Sequence, residues 1–411
     1  MAGLGLAAAA VTAMAMATAV PAAAEGELLY AGSSTAIPNS YIVVFKDAAV
    51  SAQGVDAVIN DKAAKADAKV EYKYQHALRG FAGTMSERAA KRLAADPDVA
   101  YVSQNQTVHA DATQTPVPSW GLDRIDQRDL PLNNSYTYPN TASNITAYIV
   151  DTGIRITHQD FGGRAVWGTN TVGDGNNTDC HGHGTHVAGT VGGTAYGVAK
   201  GVALTAVKVL NCAGSGSFAG IVSGVDYVTG NHTSGPAVAN MSLGGSGANA
   251  TLENAVRASI ADGVVYAIAS GNSNSDACNF TPARTPEAIT VNASDINDAR
   301  ASFSNFGTCT DIFGPGVNIT SAWSTSDTAT NTISGTSMAT PHVAGVAALI
   351  YSANPSFSAQ QVWTQMSNDS SLNKISNPGT GSPNKLVFVN NGGGQPGNPV
   401  VNNPGNQTGN V

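Results

Sequence analysis

Beyond residue 111 the chain alternates short apolar runs with Ala- and Val-rich stretches of helical length, and this pattern constrains the fold most. The apolar runs with the length and composition of buried strands are residues 147–150, 203–210, 238–241, 264–269 and 289–291. Two intervening stretches, 218–228 and 252–260, have helical composition. Strands that alternate with helices predict an α/β fold, a mostly parallel sheet with helices on both faces. In such sheets functional side chains collect at the carboxyl ends of the strands.

A smaller α+β unit is predicted over residues 40–109. Its strand and helix candidates alternate along the chain: 41–45, 53–69, 81–85, 86–93 and 99–102. The helix at 86–93 opens with Ser86, a residue type that caps helix N-termini. From the residues alone, this unit is a small independent domain.

The two ends of the chain differ from both units in composition. Residues 1–24 form an Ala-, Val- and Met-rich run closing on small residues, typical of a secretory signal peptide cleaved after Ala24, although no Lys or Arg precedes it. A membrane anchor is the alternative, which Pro21 and the many alanines disfavour. Residues 391–411 are rich in Gly, Asn and Pro without apolar periodicity, which predicts a disordered tail.

The charge balance argues against one class of partner. Lys and Arg number 20 against 28 Asp and Glu, and charged residues are only 12% of the chain. Nucleic-acid binding needs a basic face that neutralises phosphates. The sequence therefore predicts no nucleic-acid partner, and after removal of the signal peptide it predicts no membrane association.

Ser337 lies among mostly small residues, 335–345, which lead into the apolar run 346–350. If a helix begins near Ser337, its hydroxyl lies at the positive end of the helix dipole, where unpaired N–H groups stabilise negative charge. Pro341 agrees with a first helical turn, because a proline there removes no hydrogen bond. Taken alone, the stretch is more simply explained as a capped helix with closely packed Ala and Gly.

Two other polar features precede it. Asp151 directly follows the strand candidate 147–150, although an acid in that place is usually a cap or turn residue. His181, His183 and His186 fall within six positions of a chain that has only 8 histidines. Zinc is one explanation, because histidine is the commonest metal ligand. The cluster lacks the His-Glu-x-x-His spacing that places two ligands on one helical face, which disfavours zinc.

Asp151, one of these histidines and Ser337 follow each other in the chain order of the subtilisin triad. Serine is a weak nucleophile at its ordinary pKa, so it needs an imidazole base, and the imidazole needs a carboxylate that fixes its tautomer. Three segments resemble the signature blocks of the subtilase family of serine endopeptidases: Asp-Thr-Gly at 151–153, His-Gly-Thr-His-Val-Ala-Gly at 183–189 and Gly-Thr-Ser-Met-Ala at 335–339.

By matched position, the resemblance implies that Asp151 orients the imidazole, His183 is the general base and acid, and Ser337 is the nucleophile. His183 is chosen over its neighbours because it opens the His-Gly-Thr-His block. His186 and His342 are then structural, and His181 is a substitution at the periphery of the block.

The resemblance also implies an oxyanion hole and a substrate cleft. Asn272 matches the family's oxyanion asparagine and would act with the backbone N–H of Ser337. A peptide would bind as an extended strand between two flanking segments, with Ala269, Ser270 and Gly271 lining a roomy, uncharged primary pocket that favours apolar or aromatic side chains. The flanking segments are Gly214-Ser215-Gly216 and Ser242-Leu243-Gly244-Gly245.

The four cysteines, Cys180, Cys212, Cys278 and Cys309, permit three pairings on sequence alone. Residues 120–132 resemble the start of the mature proteinase K-like, aqualysin-type subtilases. That resemblance implies the sequential pairing, Cys180 with Cys212 and Cys278 with Cys309. It extends over residues 40–390.

Further implications concern organisation and cations. Residues 25–111, folded over 40–109, would be an inhibitory propeptide that assists folding and is removed by self-cleavage near 110–112, and residues 112–390 a catalytic domain with the subtilisin-like three-layer fold. The mature protein would be secreted, monomeric and active on polypeptides. Structural Ca²⁺ is implied at two sites, although each acid is equally typical of a turn or salt bridge. The expected ligands are the carbonyls of Pro286 and Ala288 with the carboxylate of Asp311, and, at the second site, Asp123, Asp126 and Gln127.

Two other functions stay open at this point. A catalytically inactive, subtilase-like binding protein would have a broken triad or oxyanion position, and none is broken here. An esterase would favour a Gly-x-Ser-x-Gly elbow and the order Ser, Asp, His, neither of which Ser337 shows. The sequence therefore predicts a secreted serine endopeptidase of broad specificity.

Overall fold

The computed structural model describes residues 25–32, 36–51, 54–106 and 112–391. The chain divides into two compact units, Met1–Thr107 and Val108–Val411. The predicted signal peptide, the predicted cleavage region around residues 110–111 and nearly all of the predicted tail lie outside the described residues. None of the described helices combines the length and the apolar character needed to span a membrane.

The smaller unit is an antiparallel sheet with helices packed against it. Its elements are β1 (Ala36–Phe45), α1 (Asp47–Ser51), α2 (Val55–Lys65), β2 (Lys69–Tyr74), β3 (Gly80–Thr84), α3 (Glu87–Ala94) and β4 (Val99–Gln106). In the part of this unit that the structure describes, four strands pair in the order β2-β3-β1-β4. Its core includes Val43, Ile59, Phe81 and Val102, all fully buried.

The predicted elements of this unit are confirmed, with one exception. The Ser86 side chain accepts a hydrogen bond from the Ala89 N–H and caps α3 as expected. The helix predicted over 53–69 ends early at Lys65, because the chain turns through a left-handed conformation at Asp67 (φ 50°). The following strand β2 was missed although Val70, Tyr72 and Tyr74 alternate with charged residues, which is the period of a strand. Most of its residues are exposed, so it is not marked by a continuous apolar run.

The larger unit begins with short elements and then alternates strands and helices. Its elements are β5 (Ala112–Gln114), α4 (Trp120–Ile125), β6 (Tyr136–Tyr138), β7 (Thr146–Asp151), β8 (Ala165–Asn170), α5 (His183–Gly192), β9 (Ala203–Lys208), α6 (Phe218–Asn231), β10 (Ala237–Met241), β11 (Gly245–Ser246), α7 (Ala250–Ala261), β12 (Val264–Ala269), β13 (Phe280–Thr281), β14 (Ile289–Ser294), β15 (Ile312–Pro315), β16 (Ile319–Ala322), β17 (Thr330–Ile333), α8 (Thr336–Ala353), α9 (Ala359–Asp369), β18 (Ser371–Leu372) and β19 (Lys385–Leu386).

Across residues 146–386 of this unit, nine strands form one sheet in the order β18-β19-β15-β14-β12-β10-β7-β9-β8. Its neighbouring strands run parallel except β18 and β19, so the predicted mostly parallel sheet is confirmed. From β7 the chain moves to β8 and β9 on one side and then returns to β10 on the other. The carboxyl end of β7 is therefore at a topological switch point, where ligand sites form in open sheets.

The two faces of the sheet are covered separately, which gives the predicted three-layer fold. Along β7, Ala147 and Ile149 pack into one core with residues of α5 and α8. Tyr148 and Val150 point to the opposite face and pack with residues of α6 and α7. The structure pairs Cys180 with Cys212 and Cys278 with Cys309, the pairing that the resemblance implies.

Candidate active site

Asp151 is the last residue of β7 and is completely buried. Its Oδ1 accepts hydrogen bonds from the Thr152 N–H (2.7 Å) and from Nδ1 of His183 (2.8 Å). His183 begins helix α5, and its ring lines a cavity of about 430 Å³. A carboxylate held on Nδ1 fixes the imidazole tautomer and leaves Nε2 for the cleft.

Three influences set the charge of His183. Burial disfavours the imidazolium and lowers the pKa, whereas the charge and hydrogen bond of Asp151 raise it, with a smaller contribution from Asp179. The raising influences win, so the pKa of His183 lies above its ordinary value of 6.5. The site thus favours an imidazole that accepts a proton readily.

Asp179 organises the loop before His183, a role that the sequence analysis missed. Its carboxylate accepts from the N–H groups of His181 (3.1 Å) and Gly182 (2.8 Å), and from the Thr185 N–H and hydroxyl (2.9 and 2.6 Å). It also accepts from the Thr152 hydroxyl at 2.9 Å, which ties the loop to the residue after Asp151. The signal available in the sequence was an acidic residue two positions before the first histidine of the cluster 181–186.

Lys208 was also missed, although a lysine inside the apolar run 203–210 was a visible signal. It is fully buried, and its Nζ donates to the carbonyls of Thr152 (2.7 Å) and Leu210 (3.1 Å). Burial lowers the pKa of Lys208. This lysine fixes the backbone between Asp151 and the edge of the 430 Å³ cavity.

Ser337 is the second residue of α8, which confirms the predicted helix start. Its hydroxyl donates to the carbonyl of Ser242 (3.2 Å), and the Ser242 hydroxyl donates to the carbonyl of Ser337 (2.8 Å). The two segments are therefore joined by a reciprocal pair of hydrogen bonds. In this arrangement the Ser337 proton points at the backbone of Ser242 and not at the imidazole.

The prediction that Pro341 lies in the first turn of this helix was wrong. Pro341 lies inside α8, five residues after Thr336, where its missing N–H would have bonded the carbonyl of Ser337. That carbonyl accepts from the Ser242 hydroxyl instead. The proline thus frees an acceptor that attaches the start of α8 to the cleft wall.

Asn272 follows β12 and faces the start of α8. Its Oδ1 accepts from the N–H (2.8 Å) and hydroxyl (2.9 Å) of Thr336, which turns the amide NH₂ group the other way. A Cβ placed on Gly335 would lie 3.6 Å from both Asn272 Nδ2 and Ser337 N. Two N–H donors therefore border one empty position, as an oxyanion hole requires.

The predicted cleft segments line two adjoining cavities. Both flanking segments, 214–216 and 242–245, line the 430 Å³ cavity. The second segment connects β10 to β11, and only its last residue, Gly245, belongs to a strand. A second cavity of about 220 Å³ is lined by Ala269, Ser270 and Gly271 together with Ser337. Its lining is uncharged throughout: Leu243, Gly244, Gly245, Ser246, Ala269, Ser270, Gly271, Asn272, Ser273, Phe280, Ala283, Thr336 and Ser337.

The first expected calcium position lies where β14 and β15 begin. Asp311 directly precedes β15, and its Oδ2 accepts from the Thr290 N–H at 2.8 Å. Burial raises the pKa of Asp311 to about 6. Pro286 and Ala288 lie just before β14, which is paired with β15. Carboxylate and backbone carbonyl oxygens are the hard donors that Ca²⁺ prefers.

At the second expected position the residues fit a cation in part. The Asp123 carboxylate accepts from the N–H groups of Asn133 (3.1 Å) and Asn134 (2.6 Å). Asp126 Oδ1 is buried and lacks a hydrogen-bond partner among the described residues, and burial, with a smaller effect of Asp123, raises the pKa of Asp126 to about 7. The Gln127 side chain instead donates to backbone carbonyls. In the described ranges, no cluster of three or more His, Cys, Asp or Glu could hold a metal.

Comparisons with known proteins find similar sequences and a similar fold among serine proteinases. Residues 142–390 match the subtilase family, and residues 40–111 match the peptidase inhibitor I9 family. The chain is 48% identical to an extracellular serine proteinase of Thermus sp. (strain Rt41A), over 89% of this chain and 93% of the relative. It is 46% identical to alkaline serine exoprotease A of Vibrio alginolyticus, over 88% of this chain and 69% of the relative. A crystal structure of a cold adapted subtilisin-like serine proteinase, 50% identical, superposes with a TM-score of 0.64 over 67% of this chain and 99% of that chain.

Proposed function

Since this chain belongs to the subtilase family of extracellular serine proteases, we propose that Asp151, His183 and Ser337 form its catalytic triad and hydrolyse peptide bonds through an acyl-enzyme. The observation that carries this assignment is the 2.8 Å hydrogen bond between His183 Nδ1 and the buried Asp151. It prepares Nε2 to accept a proton and stabilises the imidazolium that follows.

The first step is attack of Ser337 Oγ on the scissile carbonyl carbon while its proton passes to His183 Nε2. The hydroxyl now donates to Ser242, and rotation about its χ1 angle aims it at the imidazole when substrate binds. Catalytic hydrogen bonds commonly tighten only in the substrate complex. The imidazolium then protonates the leaving amine, and water releases the acyl group by the same steps in reverse.

The negative oxygen of the tetrahedral intermediate is bound by Asn272 Nδ2 and the Ser337 N–H. Both border the space beside Gly335, and Thr336 holds the Asn272 amide by two hydrogen bonds. Donors that are already oriented cost no reorganisation when charge develops. The N-terminus of α8 adds its dipole in the same direction.

Substrate lies as an extended peptide between residues 214–216 and 242–245, whose glycines let the main chains approach. Backbone pairing of this kind gives affinity that depends little on sequence. The uncharged 220 Å³ cavity beside Ser337 receives the side chain before the cleaved bond and favours apolar or aromatic residues. The mature protease acts as a monomer on polypeptides.

The activity is expected to fall as the pH falls through a value above 6.5. His183 must be neutral to accept the Ser337 proton, and its raised pKa places the loss of the base above the ordinary histidine value of 6.5. The measurement is kcat/KM against pH with an uncharged peptide substrate. Removing one raising charge in Asp179→Asn should move the acid limb to lower pH. A kcat/KM that does not fall on the acid side would contradict the assignment of His183 as the base.

The chain is a zymogen whose I9 domain inhibits it, and we place the propeptide at residues 25–111, the catalytic domain at 112–390, a signal peptide at 1–24 and a tail at 391–411. Cleavage near residues 110–112 is carried out by the chain's own triad. Ser337→Ala should therefore accumulate as uncleaved precursor by intact mass and should not digest casein. The exposed Ser356→Ala is the matched control and should be processed and active. Normal processing of Ser337→Ala would exclude self-cleavage.

Structural Ca²⁺ is proposed at the two positions described above. The carbonyls of Pro286 and Ala288 with Asp311 would join the beginnings of β14 and β15. Asp126, whose Oδ1 has no partner among the described residues, would bind the second ion with Asp123 and Gln127. The ion supplies charge neutralisation and cross-linking of loops, and no catalytic step.

Chelation is expected to lower Tm by several degrees, because a ligand at 100 times its Kd contributes about 2.7 kcal/mol to the folded state. Differential scanning calorimetry of mature, active-site-blocked protein with and without Ca²⁺ measures this effect. Asp311→Asn and Asp126→Asn should each reduce the calcium-dependent shift. The exposed Asp226→Asn is the control and should keep it. Equal Tm values with chelator and with Ca²⁺ would overturn both sites.

A further inference from the structure

The proposed mechanism uses only part of the three-histidine cluster. His183 belongs to the triad, and His186 is buried with its Nε2 bonded to the carbonyl of Ile319 (2.9 Å). The third, His181, is exposed and lines the same 430 Å³ cavity as His183. Their ring centroids are 6.2 Å apart, with the planes inclined at 69°.

We propose that His181 and His183 together bind one transition-metal cation, Zn²⁺ or Cu²⁺, and that the bound ion reversibly inhibits the protease. Imidazole nitrogens bind Zn²⁺ at about 2.0–2.1 Å. The two rings are neighbours in an edge-to-face arrangement, so they can share one ion once the exposed ring of His181 rotates. The inhibition, but not the binding, rests on the proposed function.

His183 already has the surroundings of a metal ligand. Its Nδ1 is hydrogen-bonded to the Asp151 carboxylate, the same arrangement that orients most histidines bound to metals. Only Nε2 is then available, and this is the nitrogen that must accept the Ser337 proton in catalysis. Nε2 of His183 cannot hold a metal ion and a proton at the same time. A bound metal ion therefore removes the general base.

The backbone that carries both histidines is held in place before any ion binds. Asp179 accepts hydrogen bonds from the N–H groups of His181 and Gly182, and a disulfide joins Cys180 to Cys212. A Cβ on Gly214 would lie 3.1 Å from His181 Nε2, so this wall limits where the ring can go. Binding therefore orders little beyond one exposed side chain, which keeps its entropic cost small.

The donor set selects the class of cation. Neutral imidazoles favour Cu²⁺, Zn²⁺ and Ni²⁺, whereas Ca²⁺ and Mg²⁺ prefer oxygen ligands, so the site is distinct from the two calcium positions. Within the described residues no set of three or more His, Cys, Asp or Glu is grouped for a metal, so water completes the coordination. The nearby Asp151 and Asp179 charges favour a cation, and Cu²⁺ should bind more tightly than Zn²⁺.

The test compares wild type with His181→Asn as mature enzymes in excess CaCl₂. Initial rates on a chromogenic peptide are titrated with ZnCl₂ and CuCl₂, each variant normalised to its own metal-free rate. The wild type should be inhibited and recover on addition of a zinc-selective chelator. For the same fractional inhibition, His181→Asn should require a metal concentration at least about tenfold higher than wild type. His232→Asn, a histidine outside the cavity, is the matched control and should respond like wild type.

Isothermal titration with ZnCl₂ in the same buffer measures binding without relying on activity. One ion per wild-type chain, lost or much weaker in His181→Asn, supports the site. Equal binding by wild type and His181→Asn, or equal inhibition of active forms of both, overturns it. Absence of peptidase activity in wild type would instead contradict the proposed function, and the titration would still decide whether the two histidines bind metal.

Discussion

Replacing His183 with alanine is expected to lower kcat by about 10⁶-fold, the size of the loss measured in subtilisin, a relative of this chain, when the base or the nucleophile is removed. His183 is the imidazole fixed by Asp151 at 2.8 Å, and its loss leaves Ser337 without a base that can accept its proton. The measurement is kcat on a chromogenic peptide, after wild-type enzyme has removed the propeptide in trans and has been separated from the variant.

The matched control is His232→Ala, since His232 bonds the carboxylate of Asp262 away from the cleft. It should keep kcat close to wild type. The double variant His183→Ala with Ser337→Ala should be no slower than either single variant, because triad residues act as a unit. A kcat for His183→Ala within a hundredfold of wild type would show that another group serves as the base.

Replacing Asn272 with alanine should lower kcat by about 10²- to 10³-fold, equivalent to about 2.7–4 kcal/mol, as measured for the oxyanion asparagine of subtilisin. KM should change little, because the amide donates to an oxygen charge that exists only in the transition state. Steady-state kinetics with one peptide substrate separates the two parameters.

Asn272 also accepts two hydrogen bonds from Thr336, so a structural contribution has to be separated from the catalytic one. Asn272→Asp keeps acceptors for Thr336 but removes the NH₂ donor and adds a repelling charge. It should therefore lose at least as much kcat as Asn272→Ala. A raised KM with kcat unchanged in both variants would assign Asn272 to substrate binding and leave the oxyanion with another donor.

The central strands of the larger unit were predictable because they are buried on both faces. β7, β10 and β12 are almost entirely buried and mostly apolar, and such runs stand out from the surrounding Gly-rich turns. The edge strand β8 was missed, since most of its residues are only partly buried and its composition is mixed. Edge strands bond to one neighbour only and need no continuous apolar run, so local composition identifies them poorly.

The candidate site was predictable where chemistry depends on residue type and order, as for Asp151 and Ser337. It was not predictable where a role depends on contacts distant in the chain. Asp179 and Lys208 both bond to Thr152, yet nothing near either residue in the sequence indicates that partner. The position of Pro341 was mistaken for a related reason, because the carbonyl of Ser337 that it leaves free is bonded by the hydroxyl of Ser242, 95 residues before Ser337.

The central claim is that Ser337 is the nucleophile of a peptidase, and covalent labelling of wild-type enzyme with a fluorophosphonate tests it most directly. Peptide mass mapping should find one adduct, on Ser337, with casein digestion lost in proportion to labelling. Labelling should fail in Ser337→Ala and persist in Ser356→Ala. If the wild type is labelled but does not digest casein, the protein is an esterase. If the wild type is not labelled, it is a binding protein. An adduct on another serine, or casein digestion that continues after complete labelling of Ser337, would contradict the assignment.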